Sequence, residues 1–279
     1  MDSVRTRDQI IRVVIHVILI IMSIIMIVPF LWMALTAFKT VQESTSIDPF
    51  IIFPSEWHFE NFAIVWENYN FLGLYKNTLL MIFFRVLCAV LTATMAGYAF
   101  GRLNFPGKKL LFSLVLIQMM VPPQIFLLPQ YLMVSNMNML NTTFALVFPG
   151  LVSAFGTYLM KTSFQGLPRD LEEAGSIDGC NIGQRFLLIM APLTRSGMVS
   201  LGIFTAVFAF KDLMWPMIAC TRSETTSLSA ALARMQGQFA ANYPQLMAAA
   251  LMACLPMIVL YLIFQKQFVE GIATSGGKL

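Results

Sequence analysis

The stretch RDLEEAGSIDGCNIGQRFLLIMAPLTR, from Arg169 to Arg195, differs from almost everything around it in the sequence. It is acidic, it contains glycines at intervals, and it has residue pairs that begin and end short helices. The segments on either side are apolar runs of about 20 residues, the length that crosses a bilayer as a helix. This contrast predicts a polar helical hairpin at the surface of an integral membrane protein.

The composition supports a membrane protein and excludes several other classes. Hydrophobic residues make up 58% of the chain and charged residues 11%, whereas soluble domains have about 25% charged residues. The net charge of +4 comes without a basic run, so no nucleic-acid partner is predicted. The four cysteines are far apart and the chain has two histidines. Neither a disulfide framework nor a metal site is therefore predicted.

Hydropathy predicts an all-α protein with six transmembrane helices in a single domain over residues 1–279. The predicted spans are about 13–38, 78–101, 110–132, 140–160, 197–218 and 246–264. The first is too long for the apolar region of a signal peptide, which favours an uncleaved span. The second contains Ala93, Gly97 and Gly101, which allow a helix of this chain or of a second subunit to approach closely.

The distribution of basic residues predicts the orientation. With both termini cytoplasmic, twelve Lys and Arg residues fall in inner segments and four in outer segments. This excess is what the positive-inside rule requires. The sequence therefore predicts a multi-pass protein of the cytoplasmic membrane, with Arg169–Arg195 on the cytoplasmic side.

Within the polar stretch, two pairs have the spacing of helix-capping residues. Asp170 with Glu173 favours one helix start, and Asn181 with Gln184 favours another. Gly179 suits a left-handed helix end between them. A polar connection between two spans would show the same local features, so these pairs alone do not distinguish that role from a functional one.

The residue order EAGSIDGCNIGQRFLLIMAP resembles the cytoplasmic loop of ATP-binding-cassette importer permeases. That loop has Glu-Ala-Ala, three residues, Gly, nine residues, then Ile-x-Leu-Pro. Here Gly175 replaces the second alanine and Ala191 replaces the leucine. Both replacements are small, although glycine lowers helix propensity by about 1 kcal/mol relative to alanine.

Several other segments resemble the maltose-type carbohydrate-uptake permeases, in particular the C-terminal-type subunit of the pair. They are FPSEWHFENFAIVW, MMVPPQIFLLPQY, NTTFALVFPGLVSAFGTYLMK and MAAALMACLPMIVLYLIFQKQFVEGI. The resemblance covers nearly the full chain. It implies the type I ABC importer permease fold and import of a carbohydrate, with an oligosaccharide as the expected form.

The resemblance also implies a coupling role for about residues 161–195, which we call the coupling segment. In the family its short helix docks into a cytoplasmic ATPase, and at Gly179 a side chain would obstruct close approach or the chain reversal. The implied coupling residues are Glu173, Ala174, Gly175, Ile177, Asp178, Gly179, Cys180 and Pro192.

No G-x-x-x-x-G-K-[ST] phosphate loop occurs in the sequence, so we expect a transport subunit with no cofactor of its own and no catalytic residues. The resemblance implies that ATP and Mg are used by a separate ATPase. The implied partners are two copies of that ATPase, a second homologous permease and an extracellular solute-binding protein.

Polar and aromatic residues within the third and fifth spans form a predicted substrate path. They are Gln118, Gln124, Phe208, Phe210, Lys211, Asp212 and Trp215. A charge within a span costs about 2.5–3.5 kcal/mol and usually faces protein or water. Alternatively, Lys211 lies at the outer membrane boundary and Asp212 binds the following backbone. Arg85 in the second span raises a similar question, since its partner is either Asp212 or an acid of the second permease.

Other functions fit less well. An intramembrane protease would need an arginine where Ile177 stands after Glu172 and Glu173. A secondary transporter independent of an ATPase commonly has more spans and two related halves. Neutral glutamines, Gln130 among them, fit a hydroxyl-rich cargo, whereas Lys211 leaves open a sugar-phosphate or glycerol-phosphate solute.

Overall fold

The computed structural model describes residues 2–238 and 242–276, with side chains for 11–237 and 242–266. Within these ranges the secondary structure is entirely helical. The helices of the first part are α1 (Asp2–Ala37), α2 (Val41–Thr45), α3 (Glu60–Asn68), α4 (Phe71–Arg102), α5 (Lys108–Met120), α6 (Leu127–Asn136), α7 (Thr143–Val147) and α8 (Ala154–Gln165). Those that follow are α9 (Asp170–Ile177), α10 (Ile182–Gln184), α11 (Ala191–Leu193), α12 (Arg195–Lys211), α13 (Met214–Ala219), α14 (Leu228–Gln238) and α15 (Tyr243–Gly276). Pro123–Phe126 and Phe148–Gly150 are 3₁₀ turns, and Arg185–Met190 is π-helical.

Three helices among the described residues are each long and apolar enough to cross a membrane: Ile11–Ala37, Phe71–Arg102 and Tyr243–Lys266. Three further pairs meet the same criterion only when joined across a bend. They are Lys108–Met120 with Pro123–Asn136, bent by 103°, Thr143–Gly150 with Ala154–Gln165, bent by 47°, and Ile182–Leu193 with Arg195–Lys211, bent by 74°. These residues therefore provide three to six candidate spans.

The sharpest bend lies within the predicted third span and is caused by proline. The helix ends at Met120. The next two residues, Val121 and Pro122, have non-helical backbone conformations, and a 3₁₀ turn begins at Pro123. Proline has no N–H to donate and disfavours helical backbone in the residue before it. The predicted interruption of this span is confirmed.

The chain divides into two compact units: residues 1–70 with 234–255, and residues 71–233 with 256–279. The single-domain description therefore stays a prediction. In the first unit, Thr40 and Glu43 form a capping box at the start of α2, and the Glu43 carboxylate also accepts hydrogen bonds from the Ser55 hydroxyl and backbone N–H. The buried Lys39 donates its ammonium to the Ile51 carbonyl at 2.6 Å. These hydrogen bonds hold residues 39–43, which follow α1, against residues 51–55.

In the second unit, α4 packs against α8 and α12. A β-carbon at Gly97 would lie 2.5 Å from Met160 Cβ and 2.8 Å from the Lys161 backbone nitrogen. A β-carbon at Gly156, on α8, would lie 2.9 Å from Ala93 Cβ. The small residues predicted in the second span thus allow close packing within this chain.

We expect Gly97→Ala to destabilise the protein, because its methyl group would meet backbone atoms of α8 that cannot move aside independently. Overpacking of this kind costs about 1–3 kcal/mol or more. Gly202→Ala is the matched control, since its β-carbon would lie 3.4 Å from Val86, an ordinary contact. Thermal unfolding in detergent should show a lower midpoint for Gly97→Ala alone. Equal midpoints for the two variants would contradict the tight α4–α8 contact.

The Glu43 contacts predict a shifted titration. Hydrogen bonds from the Ser55 side chain, then from the Thr40 and Ser55 backbone, lower the Glu43 pKa from 4.5 to about 2. Because the folded pKa is lowered, the stabilisation is present above about pH 4.5 and is lost as the pH falls toward 2. Ser55→Ala should raise the Glu43 pKa, measured from the carboxyl carbon shift by NMR. An unchanged pKa would show that Ser55 does not hold this carboxylate.

Candidate coupling surface and candidate translocation cavity

The coupling segment contains a short helix with a well-defined end. The backbone N–H of Gly179 donates to the Ser176 carbonyl at 3.2 Å, and that of Cys180 donates to the Gly175 carbonyl at 2.9 Å. Gly179 itself has φ +80°. This is the Schellman arrangement, in which a left-handed residue closes the last turn. The predicted helix end at Gly179 is confirmed.

One of the two predicted helix starts is wrong and the other is confirmed. Arg169, in helical conformation and without a side-chain cap, precedes the first residue of α9, so Asp170 is not the N-cap. Its carboxylate lies instead in the first turn, where an acid is favoured by the helix dipole. Asn181 and Gln184 do form a reciprocal capping box, with both hydrogen bonds at 2.9 Å.

Much of the surface of α9 and of its C-cap residue is exposed. Glu173, Ala174, Ile177 and Asp178 are exposed, and Ile177 retains 86% of its accessible surface. We call these four residues the α9 outer face. Among the other predicted coupling residues, Gly179 and Pro192 are exposed and Cys180 is half-buried.

Gly175 lies on the opposite face of α9 and is buried. A β-carbon there would lie 2.6 Å from Ile189 Cδ1 in the π-helical turn. The glycine that departs from the family pattern therefore seats α9 against Ile189. It belongs to the inner support of the helix and not to the α9 outer face.

A buried polar cluster, which the sequence did not reveal, joins α9 to α4. The Glu172 carboxylate accepts a hydrogen bond from the Tyr98 hydroxyl at 2.9 Å and lies 3.5 Å from Arg102 Nε. Arg102 also donates to the Leu167 carbonyl. The side chains of Arg102 and Glu172 are 5% and 15% exposed. We call Tyr98, Arg102 and Glu172 the α4–α9 clamp.

The clamp lines a cavity of about 470 Å³ together with Glu173, Ser176 and Arg185. Arg185 Nε is enclosed and has no acceptor among the described residues. The sequence contains one signal for the clamp: Tyr98 and Arg102 are four residues apart at the end of an apolar run. Their partner Glu172 comes about 70 residues later and is adjacent only in the folded structure. Nothing in the spacing connects them.

A second cavity, of about 730 Å³, brings most of the predicted path residues together. Its wall includes Gln118, Gln124, Phe208, Lys211, Asp212 and Trp215. The prolyl break of the third span borders it, at Val121 and Pro123. Phe210 lies elsewhere, against the buried cluster that contains Met81 and Ala209. We call this space the translocation cavity.

Arg85 and Asp212 form an ion pair in the wall of this cavity. Arg85 Nη1 lies 2.8 Å from Asp212 Oδ2, and Arg85 Nε donates to the Leu146 carbonyl at 2.7 Å. The other carboxylate oxygen accepts the Trp215 backbone N–H at 3.4 Å. Asp212 is therefore one of the two partners predicted for Arg85, and it also binds the following backbone as the alternative prediction had it.

Two further residues shape the Arg85 site. A β-carbon at Gly150 would collide with the aliphatic stem of Arg85 unless that side chain shifted. Trp215 is 2% exposed, stacks on Phe148 at 6.4 Å and donates its indole N–H to the Ala145 carbonyl. Trp215 thus supports the wall and has no open ring face, whereas Phe208 is 62% exposed.

We expect Glu172→Ala to loosen α9, because it removes the acceptor of Tyr98 and leaves Arg102 buried without its carboxylate. Hydrogen bonds to charged groups contribute about 1.5–3 kcal/mol, so amide exchange over Asp170–Ile177 should accelerate roughly 10- to 100-fold. Glu173→Ala, at the exposed neighbouring position, is the control and should leave exchange nearly unchanged. Similar exchange in both variants would show that the clamp does not hold α9.

Comparison with known proteins identifies the family. Residues 89–273 match the model of the "Binding-protein-dependent transport system inner membrane component". The chain is 28% identical over 262 residues to the diacetylchitobiose uptake system permease protein NgcG of Streptomyces coelicolor, covering 92% of this chain and 86% of that protein. It is 30% identical over 234 residues to the melibiose/raffinose/stachyose import permease protein MelC of Bacillus subtilis, covering 81% and 83%.

Two other comparisons agree. The arabinooligosaccharides transport system permease protein AraQ of Halalkalibacterium halodurans is 28% identical over 261 residues, covering 92% of each chain. A chain of a bacterial ABC transporter involved in the import of the acidic polysaccharide alginate has the same fold, with a TM-score of 0.78, 20% identity, and coverage of 93% of this chain and 96% of that one. The chain therefore belongs to the family of binding-protein-dependent transport system inner membrane components, the multi-pass permease subunits of ABC transporters in the cell membrane.

Proposed function

We propose that this chain is one of two permease subunits of an ATP-driven importer, which receives a carbohydrate from an extracellular solute-binding protein and moves it across the cytoplasmic membrane. The names of the relatives support an oligosaccharide as cargo, since they specify diacetylchitobiose, arabinooligosaccharides and melibiose, raffinose and stachyose. The translocation cavity supports it as well, because its wall combines glutamine side chains with an exposed phenylalanine. Sites for polar organic ligands commonly have this mixture.

The proposed topology has six spans with both termini in the cytoplasm. Three straight helices and three bent pairs supply the six spans. In this topology the α9 outer face and the α4–α9 clamp lie at the cytoplasmic end of α4, and Arg85 lies deeper in the membrane. The inner segments then hold most of the basic residues, as the positive-inside rule requires.

The α9 outer face is the proposed dock for the ATPase, and it is the observation on which the assignment of a coupling role depends. Ile177 is almost fully exposed, while the back of the same helix is fixed by Gly175 and Glu172. A helix held rigidly from behind transmits displacement, whereas a loose loop would absorb it. ATP and Mg act at two copies of the ATPase, and this chain is the non-catalytic membrane subunit.

Gly179 has a more specific role in this proposal than the sequence indicated. A β-carbon there would meet no atom of the described chain within 4 Å, so space within this subunit does not require glycine. Two constraints remain: the left-handed backbone, which penalises most side chains, and close approach of a partner. Both apply to the turn that ends the docking helix.

An anionic solute such as a sugar phosphate is the second candidate, and Lys211 in the cavity wall is the observation that favours it. A secondary transporter independent of an ATPase has no such support, because it gives the α9 outer face no role.

We expect Gly179→Asp to release the ATPase from the complex purified in mild detergent, while the second permease remains bound. Gly107→Asp is the matched control, because Gly107 also has a left-handed backbone, φ +76°, and no atom within 4 Å of its β-carbon. Mass spectrometry of the co-purified proteins should show the ATPase with the native chain and with Gly107→Asp.

Three other results would count against the proposal. Retention of the ATPase by Gly179→Asp would place the dock elsewhere, and its loss from both variants would point to a general effect of the substitution. A native chain purified without any ATPase or second permease would favour the secondary transporter.

A further inference from the structure

The charges in the wall of the translocation cavity do not balance. Arg85, Lys211 and Asp212 are the ionisable side chains among the described residues that line it, which leaves one positive charge in excess. Charged groups at membrane depth are costly and usually have a counter-charge or water beside them. The excess positive charge therefore needs a counter-charge other than Asp212.

Asp212 cannot neutralise both cations. One of its carboxylate oxygens is 2.8 Å from Arg85 Nη1, and the other accepts the Trp215 backbone N–H. The Arg85 side chain is 7% exposed, and its Nη2 has no acceptor among the described residues. The ion pair thus uses the available carboxylate, so the charge that remains in excess is that of Lys211.

Lys211 has the opposite surroundings. It is the last residue of α12 and is exposed, and in the part of the chain that the structure describes no carboxylate lies within 4.0 Å of its ammonium. The partial negative charge at the end of α12 favours a cation at this position, but it does not supply a counter-ion. An ammonium on a flexible stem is suited to bind an anionic group that enters the cavity.

The neighbouring groups fit the rest of an acidic sugar. Gln118, Gln124 and Gln130 line the same wall, and their side-chain amides can donate hydrogen bonds to hydroxyl groups and accept them. Phe208 is 62% exposed and offers an apolar surface for the C–H groups of a sugar ring. A cation, amides and an aromatic ring together match a sugar that bears one negative group.

We propose that the imported oligosaccharide is acidic, bearing a carboxylate or a phosphate ester, and that Lys211 binds this group during passage through the translocation cavity. This inference rests on the proposed function, since it names the charge class of the cargo of that same importer. The Arg85–Asp212 pair stays intact in this assignment and fixes the wall from which Lys211 extends.

The experiment uses the whole importer, with its partner permease, ATPase and binding protein, reconstituted in liposomes with ATP. The probe is a mixture of neutral, uronate-containing and phosphorylated oligosaccharides prepared by partial hydrolysis of polysaccharides, and mass spectrometry identifies what accumulates. We expect acidic species to accumulate, and their identity distinguishes a carboxylate from a phosphate ester. Accumulation of neutral species alone would overturn the acidic cargo and keep the proposed function. Accumulation of none would overturn the proposed function itself.

Lys211→Gln then tests the residue, with Lys211→Arg as the conservative variant and Lys109→Gln as the control for loss of one exposed lysine. We expect Lys211→Gln to slow uptake of the acidic species at least about tenfold, the change that corresponds to one charge-assisted contact. Lys211→Arg and Lys109→Gln should stay within about twofold of the native rate. For a uronate, its methyl ester, which has no charge, should lose the dependence on Lys211.

Two outcomes would overturn the role of Lys211. An equal slowing of neutral and acidic species by Lys211→Gln would indicate a structural effect on the cavity. Loss of the second permease from the purified Lys211→Gln complex would indicate that Lys211 pairs with an acid of that subunit.

Discussion

Close packing of α4 against α8 is the constraint on which both candidate sites depend. At Gly97 even one additional methyl group would collide with the backbone of α8, so the two helices approach each other as closely as their backbones allow. Arg85 and the clamp residues Tyr98 and Arg102 all belong to α4. About 13 residues of continuous helix, roughly 20 Å, separate Arg85 from Tyr98. One continuous helix therefore contributes residues to both the candidate translocation cavity and the candidate coupling surface.

This arrangement gives the proposed coupling a physical route. In the proposed coupling, displacement of α9 by an ATPase acts on Glu172, which is hydrogen-bonded to Tyr98 and ion-paired with Arg102 of α4. The same helix holds Arg85 against Asp212, at the end of α12. A movement at the coupling surface then changes the cavity wall through a path of packed helix and ion pairs. We propose this route for energy transfer. It requires that a change at the coupling surface alters the conformation of the cavity wall, and the reverse.

The sequence predicted features that are set locally and missed those set by contacts across the chain. Helical segments, the prolyl break near Pro122, the Asn181 cap and the Gly179 helix end follow from neighbouring residues and were found. The prediction that Asp170 is an N-cap was wrong because two adjacent positions can begin the same helix. In the structure the helix begins one residue earlier, with Arg169 at the N-cap position. Glu172 and Gly150 were missed because their roles come from Tyr98 and Arg85, which lie far away in sequence. Most path residues share one cavity, whereas Phe210, close to Lys211 in sequence, turns to the buried cluster.

The two ion pairs on α4 also limit how the protein can move. Each joins a largely buried arginine of α4 to a carboxylate of another segment, Arg85 to Asp212 and Arg102 to Glu172. Separating either pair would leave a charge uncompensated, at a cost of about 3–5 kcal/mol for a fully buried pair. Motions that keep both pairs intact are favoured over motions that break one. We therefore expect α4, α9 and the end of α12 to move as one body, with rearrangement concentrated at the bends, above all the prolyl break that borders the cavity.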